Sequence, residues 1–184
     1  PVPEDILSHL KGMYLLNLKR NMFLEDELFT VLDHLKSCNI PAIPLKGTAL
    51  AGLIYKDIAL RQAPCDMDIL VPEDSLIEAE KRLHETGYTF TCEYTDEQLQ
   101  CMHRARKEID LKKVKHGFTL GIDLHWNFHE IFNYKDIHIK NFFHDAKEVE
   151  LNNHRILVPS MEDEILFIIT ALAGRFDYIT MKYI

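Results

Sequence analysis

Asp66-Met67-Asp68-Ile69-Leu70-Val71 alternates polar and apolar residues, then turns wholly apolar before Pro72, the pattern of a strand that a proline ends. Successive side chains of a strand point to opposite faces, so Asp66 and Asp68 share one face a short distance apart. Two like charges so close repel each other unless a cation sits between them. Oxygen-only ligands of this kind suit Mg²⁺ or Mn²⁺, which one or two carboxylates hold while phosphate oxygens complete the shell.

Upstream, Ile40-Pro41-Ala42-Ile43-Pro44-Leu45 reads as a short strand entering from a turn at Asn39, and Lys46-Gly47-Thr48 ends it. Ala49 to Tyr55 continues as a helix, followed by a loop from Lys56 to Cys65 that contains Arg61 and Pro64. A glycine turn ahead of a helix offers backbone N–H groups and a favourable dipole to phosphate, and Lys46 and Arg61 add positive charge nearby. From Glu4 to Ser37 the apolar residues fall at helical spacing, which predicts one long helix or two broken near Asn21.

Downstream, Glu73 to Glu85 is predicted as a helix with an acidic first turn, ended by Gly87, and Tyr88 to Cys92 as a strand. Glu108–Val114 and Phe118–Trp126 alternate across Lys115-His116-Gly117, a hairpin pattern. A second hairpin is expected from Glu148–Leu151 and Arg155–Val158 around Asn152-Asn153. Ser160 then caps a helix from Met161 to Ala173, with Asp163 three residues on. Asp123 lies between Ile122 and Leu124 on the second strand of the first hairpin. If that strand pairs beside Asp66 and Asp68, three carboxylates converge, the arrangement that two-metal phosphoryl or nucleotidyl transfer needs.

The whole chain bounds these readings. Its 184 residues, 47% hydrophobic and 27% charged, suit one sizeable core with a helical appendage. The expected division is a helical segment over 1–37, a core over 38–160 and the start of a C-terminal helical region over 161–184, with another helix expected beyond Ile184. The run Ile165–Ala173 is about half of the ~20 residues a membrane span requires. The N-terminal stretch does not look like a signal peptide, so membrane and secreted classes are set aside. Cys38, Cys65, Cys92 and Cys101 form no Cys-x-x-Cys pair and read as reduced thiols of a cytoplasmic protein. With 21 Lys+Arg against 29 Asp+Glu the net charge is −8, which opposes non-specific binding to a polyanion such as DNA. A local exception is the stretch with Arg104, Arg106, Lys107, Lys112, Lys113 and Lys115, read either as a solvated hairpin or as a docking surface for RNA. His125 and His129 have the spacing of a zinc pair if that stretch is helical; otherwise His125 supports Asp123 or packs near the sheet end.

The order Leu45-Lys46-Gly47-Thr48-Ala49-Leu50, Tyr55, Asp57, Arg61, Cys65-Asp66-Met67-Asp68-Ile69-Leu70-Val71 and Ile122-Asp123-Leu124-His125-Trp126 resembles the polymerase-β-like nucleotidyltransferase superfamily. Within it, the chain is most similar to a bacterial family of uncharacterised nucleotidyltransferases, over roughly Asp26 to Ala173. The Gly-Ser or Gly-Gly of the wider superfamily is Gly47-Thr48 here, and lies farther ahead of the first aspartate than in many members. The resemblance implies an α+β fold, a mixed β-sheet flanked by helices. It also implies Mg²⁺ or Mn²⁺ as cofactor and an NTP such as ATP as donor. Asp66, Asp68 and Asp123 would be the metal-binding and catalytic carboxylates. Gly47 and Thr48 would cradle the β- and γ-phosphates, with Lys46 or Arg61 neutralising them. The expected acceptor is a hydroxyl on a small molecule, a peptide or protein, or an RNA end. Two other readings stay open: an inactive nucleotide-binding module of the same fold, and a toxin-type nucleotidyltransferase acting on tRNA. A metal-dependent phosphohydrolase is a third possibility, distinguished by releasing inorganic phosphate.

Overall fold

The computed structural model describes residues 2–54, 58–60, 66–127 and 139–173. Helix α1 runs unbroken from Glu4 to Ser37, 34 residues and about 51 Å at 1.5 Å per residue. Asn21, where the spacing allows a break, is instead a polar anchor. Buried in mid-helix, it donates from Nδ2 to the Ile58 carbonyl at 2.7 Å, and Asn17 does the same to Ala59, fixing the 3₁₀ turn Ile58–Leu60 against α1.

The strands are β1 (Ile43–Leu45), β2 (Asp66–Leu70), β3 (Thr89–Phe90), β4 (Glu108–Lys115) and β5 (Phe118–His125). They form one sheet in the order β1-β2-β5-β4-β3. β2 and β5 are parallel and the other neighbours antiparallel, so the sheet is mixed as expected. α2 (Gly47–Ile54) follows β1, and α3 (Leu76–Glu85) follows a 3₁₀ turn at Glu73–Ser75, where the sequence suggests one continuous helix. α4 (Asp96–Ala105), which no periodic apolar pattern announces, comes between β3 and β4. Beyond β5 lie α5 (Ile139–Asp145), the hairpin β6 (Lys147–Leu151)–β7 (His154–Val158), and α6 (Met161–Ala173).

The strand period divides the sheet into two unlike faces. Met67, Ile69, Ile109, Leu111, Ile122 and Leu124 point to one face and pack with Leu24, Leu28, Val31 and Leu35 of α1 and with Ala79 and Leu83 of α3 in one core. On the opposite face, Ile43, Leu45 and Leu70 meet Phe142 of α5 and Phe167 of α6 at one end. The strand period puts Asp66, Asp68, Asp123, Asp110 and Glu108 on that face, together with His125, Lys112 and Thr119.

Candidate active site

Register brings the carboxylates together. β2 and β5 run parallel with Asp68 opposite Asp123 and Asp66 opposite Gly121. β4 then places Asp110 opposite Asp123 and Glu108 opposite His125. The one-face rule therefore gives Asp66, Asp68, Asp123, Asp110 and Glu108 a common side of three adjacent strands. Among the described residues, Asp68, Asp123 and His125 each offer a ligand atom within 4.8 Å of the others.

Asp68 is the most deeply set of them, with its side chain 2% exposed. Its Oδ1 meets the Lys46 ammonium at 2.8 Å and His125 Nε2 at 3.2 Å. Burial alone would raise its carboxyl, but the hydrogen bond from His125 and the Lys46 charge outweigh that and hold it below the usual range. A carboxylate only accepts, so His125 Nε2 carries the proton in this contact. His125 Nδ1 lies 3.0 Å from Glu108 Oε2 but makes no well-aligned hydrogen bond. The ring also meets Phe167 edge-on, with centroids 6.1 Å apart, so α6 holds it from behind.

Asp123 has the opposite character. Burial and the neighbouring charges of Asp66, Asp68, Asp110 and Glu108 push its carboxyl up to about 8. That repulsion is what a divalent cation relieves, and the carboxylate oxygens of Asp68 and Asp123 are donors that suit Mg²⁺ or Mn²⁺, with His125 orienting Asp68 through its Nε2 proton. The residues therefore fit the metal.

The glycine turn is where the sequence suggests it, with a detail it does not announce. Lys46 has φ 36° and Gly47 φ 68°, two successive left-handed residues. Glycine adopts that conformation freely; lysine does so at a cost, here while its ammonium is held on Asp68. α2 begins at Gly47 itself, so the first turn of the helix contains Gly47 and Thr48. Arg61, Tyr55, Asp57, Cys65 and His129 lie outside the described residues. His125 is on a strand, so the helical i, i+4 geometry of a zinc pair does not apply to it. Glu108 and Asp110 are the acids of this face that the sequence reading did not place at the site. Their signal was present: they stand two positions apart on a strand paired with the one carrying Asp123.

The basic hairpin has a local explanation. Glu27 of α1, with no exposed surface, receives Lys113 Nζ on Oε1 at 2.7 Å, Lys115 Nζ on Oε2 at 2.6 Å and the Tyr88 hydroxyl at 3.1 Å. Lys107 pairs with Glu108 at 2.9 Å, and Lys112 reaches the Thr91 carbonyl at 3.3 Å. Much of that positive charge thus serves the fold.

Comparison with known proteins points the same way as the geometry. The family described as uncharacterised nucleotidyltransferase matches residues 1–182. Two solved structures share the fold at low identity. The lincosamide antibiotic adenylyltransferase LnuA, lincomycin-bound, superposes with a TM-score of 0.53 at 19% identity, covering 78% of this chain and 84% of that one. ANT(2″)-Ia in complex with adenylyl-2″-tobramycin gives 0.51 at 14%, covering 82% and 76%. No curated protein matches by sequence. No described helix is long and apolar enough to cross a membrane.

Proposed function

This chain belongs to the uncharacterised nucleotidyltransferase family, and on that premise we propose that it moves an NMP group from an NTP to a hydroxyl, with a divalent metal at Asp68 and Asp123. The observation that carries this reading is the pairing of those two aspartates on parallel neighbouring strands, with Asp123 left under like-charge repulsion. Asp66, on the same face of β2, would contribute the third carboxylate. A metal held there would supply charge neutralisation to the transferring phosphate. The Gly47 and Thr48 N–H groups at the start of α2 would receive phosphate oxygens, and Lys46 their negative charge. Asp123 would complete the metal site and, once that cation holds it ionised, help to take the acceptor hydroxyl's proton. The hydroxyl oxygen then bonds to the α-phosphorus, the bond from that phosphorus to the β-phosphate bridging oxygen breaks, and pyrophosphate leaves.

For the donor we favour ATP, and for the acceptor a small molecule bearing a hydroxyl. LnuA is an adenylyltransferase bound to lincomycin, and ANT(2″)-Ia holds an adenylylated tobramycin. The net charge of −8 and the internal pairing of Lys113 and Lys115 both favour this over an RNA acceptor.

A thermal-shift titration with ATP, GTP, CTP and UTP, each with Mg²⁺ or EDTA, tests the reading on the wild type and Asp68→Asn. A ligand that binds only the folded state adds about 2.7 kcal/mol at 100 times its Kd. We expect a Mg²⁺-dependent shift with ATP that Asp68→Asn abolishes, and pyrophosphate release when a hydroxyl acceptor is added. A shift without turnover on any acceptor would indicate a binding module, and release of inorganic phosphate a hydrolase.

A further inference from the structure

We propose that Phe167 of α6 is a positioning residue: it fixes the His125 ring, and through that ring the Asp68 carboxyl. Metal affinity then depends on a helix from which none of the proposed ligands comes. The inference rests on the nucleotidyl-transfer reading of the same site.

His125 ends β5, and the backbone around it is fastened on both sides. The Val71 N–H donates to its carbonyl at 2.9 Å, and the Trp126 N–H that follows donates to the Lys107 carbonyl at 3.0 Å. Only the side-chain torsions remain to be set. Register places Glu108 directly opposite His125 on one side and Leu70, two positions after Asp68, on the other. The ring accordingly spans two carboxylates, with Nε2 donating to Asp68 Oδ1 at 3.2 Å and Nδ1 lying 3.0 Å from Glu108 Oε2. The Glu108 contact is not a well-aligned hydrogen bond, so it does not hold the ring plane by itself. Phe167 supplies that hold. It is buried among Ile43, Leu45, Leu70 and Phe142, and it stands edge-on to the imidazole with 85° between the planes.

Lys46 reaches the same Asp68 oxygen, but an ammonium carries three rotatable donors on a flexible stem and attracts a carboxylate without orienting it. An imidazole N–H points one way, in the plane of its ring, so a ring that cannot turn gives the carboxyl one preferred orientation. A carboxyl held in that way loses little freedom when a cation takes it. Groups that orient metal ligands are commonly worth about 10–100-fold in affinity. A smaller side chain at 167 lets the ring rotate, and Asp68 loses its orientation although nothing touching it has been removed.

The test is Mn²⁺ affinity, read from the free-ion electron paramagnetic resonance signal. It is measured on the wild type, Phe167→Leu, His125→Phe, the double variant and Ile168→Ala, with Phe167→Met in place of Phe167→Leu where the latter does not fold. His125→Phe removes the donor and should weaken Mn²⁺ binding by at least about tenfold. Phe167→Leu should weaken it by a smaller factor, and should add nothing further in the His125→Phe background, where the ring it positions is gone. Ile168→Ala, in the same apolar cluster, should lower the melting temperature and leave Mn²⁺ affinity unchanged. Wild-type affinity in Phe167→Leu overturns the proposal, and so does an equal loss in Ile168→Ala or in both backgrounds. If the variants carrying His125→Phe do not fold, the comparison of Phe167→Leu with Ile168→Ala decides by the same criterion. A wild type that binds no Mn²⁺ refutes the metal site itself and the inference with it. A wild type that binds Mn²⁺ no more tightly than Phe167→Leu refutes the inference alone.

Discussion

Glu27 shows what a single residue can hide. It sits in an acidic run, Glu25-Asp26-Glu27, that reads as the wet side of a helix, yet it is fully buried beneath two lysines and a tyrosine. Burial raises its carboxyl, but the hydrogen bonds from Lys113 and Lys115 outweigh that and leave it below the ordinary 4.5. A depressed carboxylate contributes stability that is complete above 4.5 and is lost as pH falls through its folded-state value. Glu27→Gln should therefore be less stable than the wild type near neutrality, with the gap closing on acidification in urea titrations run from pH 7 to pH 3. A gap that stays constant over that interval would remove Glu27 from the account. Lys113→Met, which removes one of the three partners, should cost about 1–3 kcal/mol. That Asp66 and Asp68 share a face was legible because a period of two is a local signal, whereas the strand pairing that sets Asp123 beside them entered the sequence reading only as a condition. The Lys46–Asp68 contact was not, because it depends on a left-handed turn and a register that no local pattern encodes.

At the scale of elements, the strands of the first hairpin and their two-residue turn follow from the alternation and from His116-Gly117, both at positive φ. Asn152-Asn153 turns the second hairpin in the same way. Ser160 caps α6 as its sequence suggests: the Asp163 N–H donates to Ser160 Oγ at 3.1 Å. α4 escaped notice because it buries no residue, so no apolar stripe marks it. Its signal was the capping box, where Gln98 N–H donates to Thr95 Oγ1 and Thr95 N–H donates to Gln98 Oε1. Its packing is confined to part-buried side chains: Leu99 lies against the main core, and His103 meets the Trp126 ring edge-on with its Nε2 2.7 Å from Glu80. Thr95→Ala should consequently cost about 1 kcal/mol and appear in hydrogen exchange as faster exchange confined to α4. Protection lost throughout the sheet would mean that α4 contributes more to the fold than its exposure indicates.

Across the whole molecule, the apolar stripe that packs Leu24, Leu28, Val31 and Leu35 on the sheet continues toward the N-terminus as Ile6, Leu10 and Met13, which are exposed. Helical spacing alone could not reveal that only half of the stripe has a floor. Glutamate at Ile6, Leu10 or Met13 should change unfolding free energy by no more than about 0.5 kcal/mol each and reduce binding of a hydrophobic dye. A marked fall in melting temperature would show that this stretch is covered in solution. The parallel pairing of β2 with β5 carries a consequence of another kind, in time. The two strands that hold the acidic pair are separated in the chain by β3, α3, α4 and β4. Contacts so distant in sequence form late, after the loop between them has closed. While the polypeptide is being synthesised, Asp68 is complete long before Asp123 has left the ribosome. A half-made chain therefore owns Asp66 and Asp68 without Asp123, and the three carboxylates meet only with the closing of the sheet.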